Sequence, residues 1–193
     1  MTTTLIDDLK GRISTAISVN HSTGILLHGN NYNDLIQALI SYMSCKDDAY
    51  WVYVAVTRPY DTIVQNYNYI QDKPNITFID CISRAAGISG KYSKCKYIES
   101  PVVLEKILLE IMNSFNNVPE GHEKYLIIDT LSSLLLYNDV TLVTEFLTHL
   151  TNRSRLYDIH NVSIVIEEET DDNINKMIYL RSEKIIKLKE SFI

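Results

Sequence analysis

Two periodicities alternate along this chain. Short, mostly apolar runs recur at Gly24-Ile25-Leu26-Leu27-His28-Gly29, Trp51-Val52-Tyr53-Val54-Ala55-Val56, residues 75–82, Tyr125-Leu126-Ile127-Ile128-Asp129 and Val162-Ser163-Ile164-Val165-Ile166. Such runs do not alternate apolar with polar residues, so they predict strands buried on both faces, as in a parallel sheet. Between them, apolar residues fall at helical spacing. Leu5, Ile6, Leu9, Ile13, Ala16 and Ile17 share one face, with Thr4 and Asp7 placed like a capping box. Leu35, Ile36, Leu39, Ile40 and Met43 share another, capped by Asn33 or Asp34. Tyr60, Ile63, Val64, Tyr67 and Ile70 follow Pro59. The clearest stripe is Leu104, Ile107, Leu108, Ile111, Met112 and Phe115 after Ser100-Pro101, and Asp139 precedes one more helix with Leu142, Val143, Phe146, Leu147 and Leu150 inward.

Two segments carry less pattern. Residues 83–99, with Gly90, Lys91, Lys94 and Lys96, show no clean periodicity and predict a long connection. Met177-Ile178-Tyr179-Leu180 and Lys184-Ile185-Ile186-Lys187-Leu188 predict two strands forming a C-terminal edge hairpin, blunted by lysines. The expected architecture is a single domain over 1–193. An N-terminal helix (1–20) leads into an α/β core (21–193), built as a three-layer α/β/α sandwich with a mostly parallel sheet.

Composition narrows the function. With 193 residues, 46% hydrophobic and 22% charged, the chain is long enough for a real core. A net charge of -6 argues against general nucleic-acid binding. Cys45, Cys81 and Cys95 are odd in number and widely spaced, which forms neither a disulfide framework nor a zinc signature and fits a reducing cytoplasm. The acidic first residues do not read as a signal peptide. No stretch reaches the roughly eighteen apolar residues that cross a membrane.

In open α/β sheets ligands bind at the carboxyl ends of the strands, which is where Asp129 and His28 fall. Asp129 with Glu167, Glu168 and Glu169 could gather carboxylates for a hard cation, or simply form a solvated acidic surface. His28 reads as a ligand-edge histidine or a satisfied core one. No GxSxG, GxGxxG or HExxH occurs. Tyr60, Tyr67, Tyr69 and Tyr92 could decorate a partner surface or serve packing.

The order of elements and two segments resemble the RecA-like ATPases, and within them the KaiC-like family. Tyr125-Leu126-Ile127-Ile128-Asp129, continued by Thr130-Leu131-Ser132-Ser133-Leu134, looks like that family's Walker B strand. Gly24 to Gly29 looks like its first strand entering the phosphate loop. The resemblance implies a nucleotide site at Gly29, Asn30, Asn31, Asp34 and Asp129. It also implies self-association or a protein partner.

The departures matter as much. A phosphate loop reads GxxxxGK[ST], its lysine neutralising phosphate and its hydroxyl holding magnesium. The same eight positions here are Gly29-Asn30-Asn31-Tyr32-Asn33-Asp34-Leu35-Ile36. Asp34 would bring a carboxylate to a helix N-terminus, as an internal stand-in for phosphate or as an ordinary cap. If the loop path is retained, Asp34→Gly with Leu35→Lys should create nucleotide affinity. Where KaiC-like ATPases carry a catalytic glutamate after the second strand, this chain reads Thr57-Arg58-Pro59-Tyr60-Asp61, and Asp61 belongs to the next helix.

The expectation is therefore a regulatory or protein-interaction module without ATP hydrolysis or cofactor, in signal transduction for example. The alternative is a nucleotide-binding protein or slow NTPase, taking ATP and magnesium, whose phosphates are met by Arg84, Lys91, Lys94 or Lys96. A third option is an unrelated enzyme using the carboxylate edge, with shifted pKa values.

Overall fold

A computed structural model describes residues 2–88, 94–170 and 172–188. Gly90, Lys91, Tyr92 and Asp171 lie outside them. The strands are β1 (Ser22–Leu27), β2 (Ala49–Ala55), β3 (Ile76–Asp80), β4 (Cys95–Tyr97), β5 (Glu123–Asp129), β6 (Ile159–Ile166) and β7 (Lys184–Leu188). The helices are α1 (Thr2–Ile17), α2 (Tyr32–Cys45), α3 (Tyr60–Asn66), α4 (Leu104–Phe115), α5 (Leu131–Leu135), α6 (Val140–Leu156) and α7 (Asp172–Arg181). The strands form one sheet in the order β4-β3-β2-β5-β6-β1-β7. Every pairing is parallel.

The unbroken apolar runs have a simple cause. Side chains alternate across a strand, and here both faces are covered. Ile25, Leu27, Trp51, Tyr53, Ala55, Tyr125 and Ile127 face one core with α1, α2 and α3. Leu26, Val52, Val54, Leu126 and Ile128 face the other with α4 to α7. The three-layer α/β architecture is as expected. β5 is the middle strand of seven, so Asp129 leaves the sheet at its centre.

The C-terminal hairpin is not formed. Met177 to Leu180 belong to α7, and β7 pairs alone with β1 as a parallel edge strand. The deciding signal is Ile174, Met177 and Ile178, which are buried at helical spacing. Gly24 makes room for that helix. A Cβ there would come within 2.6 Å of Ile178 Cγ2 and 2.8 Å of Ile185 Cδ1.

The connection 83–99 contains β4, three residues long and too short to show a period. α1 begins at Thr2, so Thr4 lies inside the helix and does not cap it. α4 begins at Leu104, after a turn in which Ser100 Oγ accepts the Val102 N–H at 3.3 Å.

Candidate functional site

Asp129 is 1% exposed. Tyr32, the first residue of α2, places its hydroxyl 2.8 Å from both carboxylate oxygens. Tyr53, inside β2, donates a short hydrogen bond to Oδ2. Ala55 pairs with Asp129 across β2 and β5, so Tyr53, two residues earlier, stands on the same face of the sheet. The Arg58 guanidinium lies 4.6 Å from the Tyr32 ring centre and bonds Asn33 Oδ1.

Burial pushes the Asp129 carboxyl up to about 6, against the lowering pull of the two hydroxyls and of Arg58. Burial and the neighbouring carboxylate push both phenols well above their usual range, so each remains a proton donor.

The turn after β1 is short. His28 is extended, Gly29–Asn31 make one 3₁₀ turn, and α2 begins at Tyr32. The helix thus starts before the positions that a phosphate loop gives to glycine and lysine. Leu35 and Ile36 point into the core at 0% and 1% exposure. Asn31 is the cap residue, without a side-chain cap bond, so Asn33 and Asp34 sit in the first turn and do not cap it.

Asp34's charge suits the positive end of the helix. The carboxylate at Gly29, however, comes from elsewhere. Glu168 Oε1 accepts the Gly29 N–H at 3.3 Å and lies 2.5 Å from His28 Nδ1. Glu168 is held below its usual range by hydrogen bonds that outweigh its desolvation.

Around this centre the segment after β5 acts as a clasp. Thr130 Oγ1 accepts the Ser133 N–H at 3.1 Å and caps α5. Thr57 Oγ1 reaches Ser133 Oγ at 2.8 Å, while the Val56 and Thr57 N–H groups donate to the Asp129 carbonyl. Ser132 Oγ accepts the Ile166 N–H at 2.8 Å and ties α5 to the end of β6. Asp80 does the same at the end of β3. Its carboxylate accepts the N–H groups of Tyr60, Ile82 and Ser83 and the Ser83 hydroxyl, all within 2.7–2.8 Å.

No protein-family model matches the chain, and no curated protein matches it. Solved structures do. The uncharacterized protein PH0321 from Pyrococcus horikoshii, determined in complex with an unknown peptide, superposes with a TM-score of 0.61 at 16% identity, over 87% of this chain and 77% of its own. The KaiC-like protein PH0186 from Pyrococcus horikoshii OT3 superposes with a TM-score of 0.61 at 13% identity, over 88% of this chain and 72% of its own. The fold is RecA-like.

Within the RecA-like fold the expected site residues are brought only partly together. Gly29 and Asp129 lie at the carboxyl ends of β1 and β5, on opposite sides of β6, and Tyr32 bridges from the loop to Asp129. Glu167 pairs with Lys187 at 3.1 Å and Glu168 with His28, so these acids have partners other than Asp129.

Two of the connection's described cations lie elsewhere. Lys96 is on β4, five strand spacings and about 24 Å from β1, and pairs with Glu110. Arg84 pairs with Glu99. Tyr60 is buried and Tyr69 half-exposed. Sequence reasoning missed Tyr32, Tyr53 and Arg58 as site residues, and placed Glu168 with Asp129 instead of with His28 and Gly29. The alternation of β2 against Asp129 could have shown Tyr53; nothing local marks the other two.

Proposed function

We propose that this chain is a RecA-like domain that does not hydrolyse nucleotide and works as a regulatory, protein-binding module. One observation carries the reading: both oxygens of the Walker B-position carboxylate are occupied by tyrosine hydroxyls, one of them supplied by the phosphate-loop segment itself. A magnesium-bound nucleotide would need that carboxylate turned outward and a cation beside the phosphates. The lysine position is instead the buried Leu35, and Glu168 presents a negative charge at Gly29. The distance of Lys96 from β1 speaks against Lys96 as the source of the missing charge. That PH0321 was determined with a peptide bound supports a protein-binding role for this fold.

The test is calorimetric titration of the purified chain with ATP and magnesium, and separately with ADP. The expected result is no saturable heat at millimolar nucleotide. Saturable binding by the wild-type chain would overturn the reading.

A further inference from the structure

The opposite edge of the sheet carries a second cluster. β1 and β6 are parallel neighbours with Ser22 opposite Asn161. One residue back, the same register sets His21 beside His160. In a parallel pair such neighbours share a face, and Asp158 lies in the turn just before β6.

The geometry agrees with the register. The two imidazoles stack with ring centres 4.9 Å apart. His21 Nδ1 stands 3.6 Å from Asp158 Oδ1. One nitrogen or oxygen from each of the three side chains falls within 4.8 Å of the others.

Three features favour a ligand over a solvated cluster. His160 Nδ1 lies 3.0 Å from the Asn20 carbonyl, which fixes that nitrogen as the N–H and leaves the lone pair on Nε2. This is the outer-shell bond that orients metal-binding histidines. His21 Nδ1 is buried and has no hydrogen-bond partner. The His21 backbone is pinned on both sides, its N–H by Glu183 Oε2 at 2.9 Å and its carbonyl by the Asn161 N–H at 3.0 Å. Asp158, by contrast, is on the surface in a left-handed turn with φ 55°, its side chain 82% exposed and able to move.

We propose that His21, Asp158 and His160 form a binding site for a zinc-class divalent cation. Two imidazoles and one carboxylate suit such ions, and they leave a fourth position for water. A tetrahedral ion places its ligand atoms about 3.3 Å apart, so the set closes by a shift of the mobile Asp158 side chain and small ring rotations. The 290 Å³ hollow lined by Gly121, His122, Asp158 and His160 gives the ion access. Binding clips the turn between α6 and β6 to the start of β1, with the two histidines about 13 Å along the strands from Asp129.

The test uses tag-free protein stripped with a chelator, titrated with Co²⁺ by visible absorption and with Zn²⁺ by calorimetry. The expected result is one ion per chain, with d–d bands of a four- or five-coordinate site. Asp158→Asn keeps the left-handed turn and His21→Gln removes a ligand; each should weaken binding at least tenfold, while His149→Ala, on the exposed face of α6, leaves it unchanged. Absence of saturable binding, or equal binding by wild type and Asp158→Asn, overturns the proposal. So does loss of binding in His149→Ala.

Discussion

The hydroxyl of Tyr32 stands 2.8 Å from both oxygens of Asp129, ninety-seven residues away in sequence, and closes the centre of the sheet's ligand edge. A hydrogen bond to a charged group contributes about 1.5–3 kcal/mol. Tyr32→Phe removes the donor and keeps the ring under Arg58. It should cost about 1–3 kcal/mol in urea unfolding at pH 8, where Asp129 is ionised. A change below a few tenths of a kcal/mol would mean that water replaces the phenol.

Asp129 should also make stability depend on pH in an unusual direction. Its folded pKa of about 6 lies above the ordinary value of 3.8. The folded state therefore holds this proton more tightly than the unfolded state. The stabilisation is fully present below the unfolded pKa and is lost as pH rises through 6. Two pKa units correspond to about 3 kcal/mol. Urea midpoints measured from pH 4 to 7.5 for the wild type and Asp129→Asn should diverge across that window, the wild type losing ground as pH rises. Parallel curves would show that Asp129 ionises as it does in water.

The pair of substitutions that rebuilds the phosphate-loop residues, Asp34→Gly with Leu35→Lys, should fail to create a nucleotide site. Leu35 is fully buried in the core beneath α2, so a lysine there replaces packing with a charge. The expected cost is at least about 3 kcal/mol, a melting temperature lower by about 6–12 °C for a chain of this size. Scanning calorimetry with and without ATP reads both effects. Nucleotide binding at an unchanged melting temperature would contradict the loop path described here.

How far the sequence reveals this molecule depends on how each feature is encoded. β1, β2, β5 and β6 are legible because burial on both faces removes polar residues from the run. α7 is not, because its apolar residues form a four-residue cluster whose helical period emerges only when Ile174 is counted. β4 is three residues long and has no period. The site was legible at Asp129, a carboxylate at the end of an apolar run. The groups that bond it come from the start of α2, the middle of β2 and the turn after it, and tyrosine inside an apolar run reads as packing. Glu168 was visible only as one member of an acidic run. His21 and His160 become neighbours through a register that no single segment carries.

The position of β1 has a consequence for the order in which the chain can fold. Among the described residues its only strand neighbours are β6 and β7, which begin at Ile159 and Lys184. During synthesis the first strand made has no hydrogen-bonding partner until more than four-fifths of the chain exists, whereas β2, β3 and β5 can already pair among themselves. The first strand is thus early in sequence but late in assembly. The loop closures that recruit it span well over a hundred residues, the kind of contact that slows folding most.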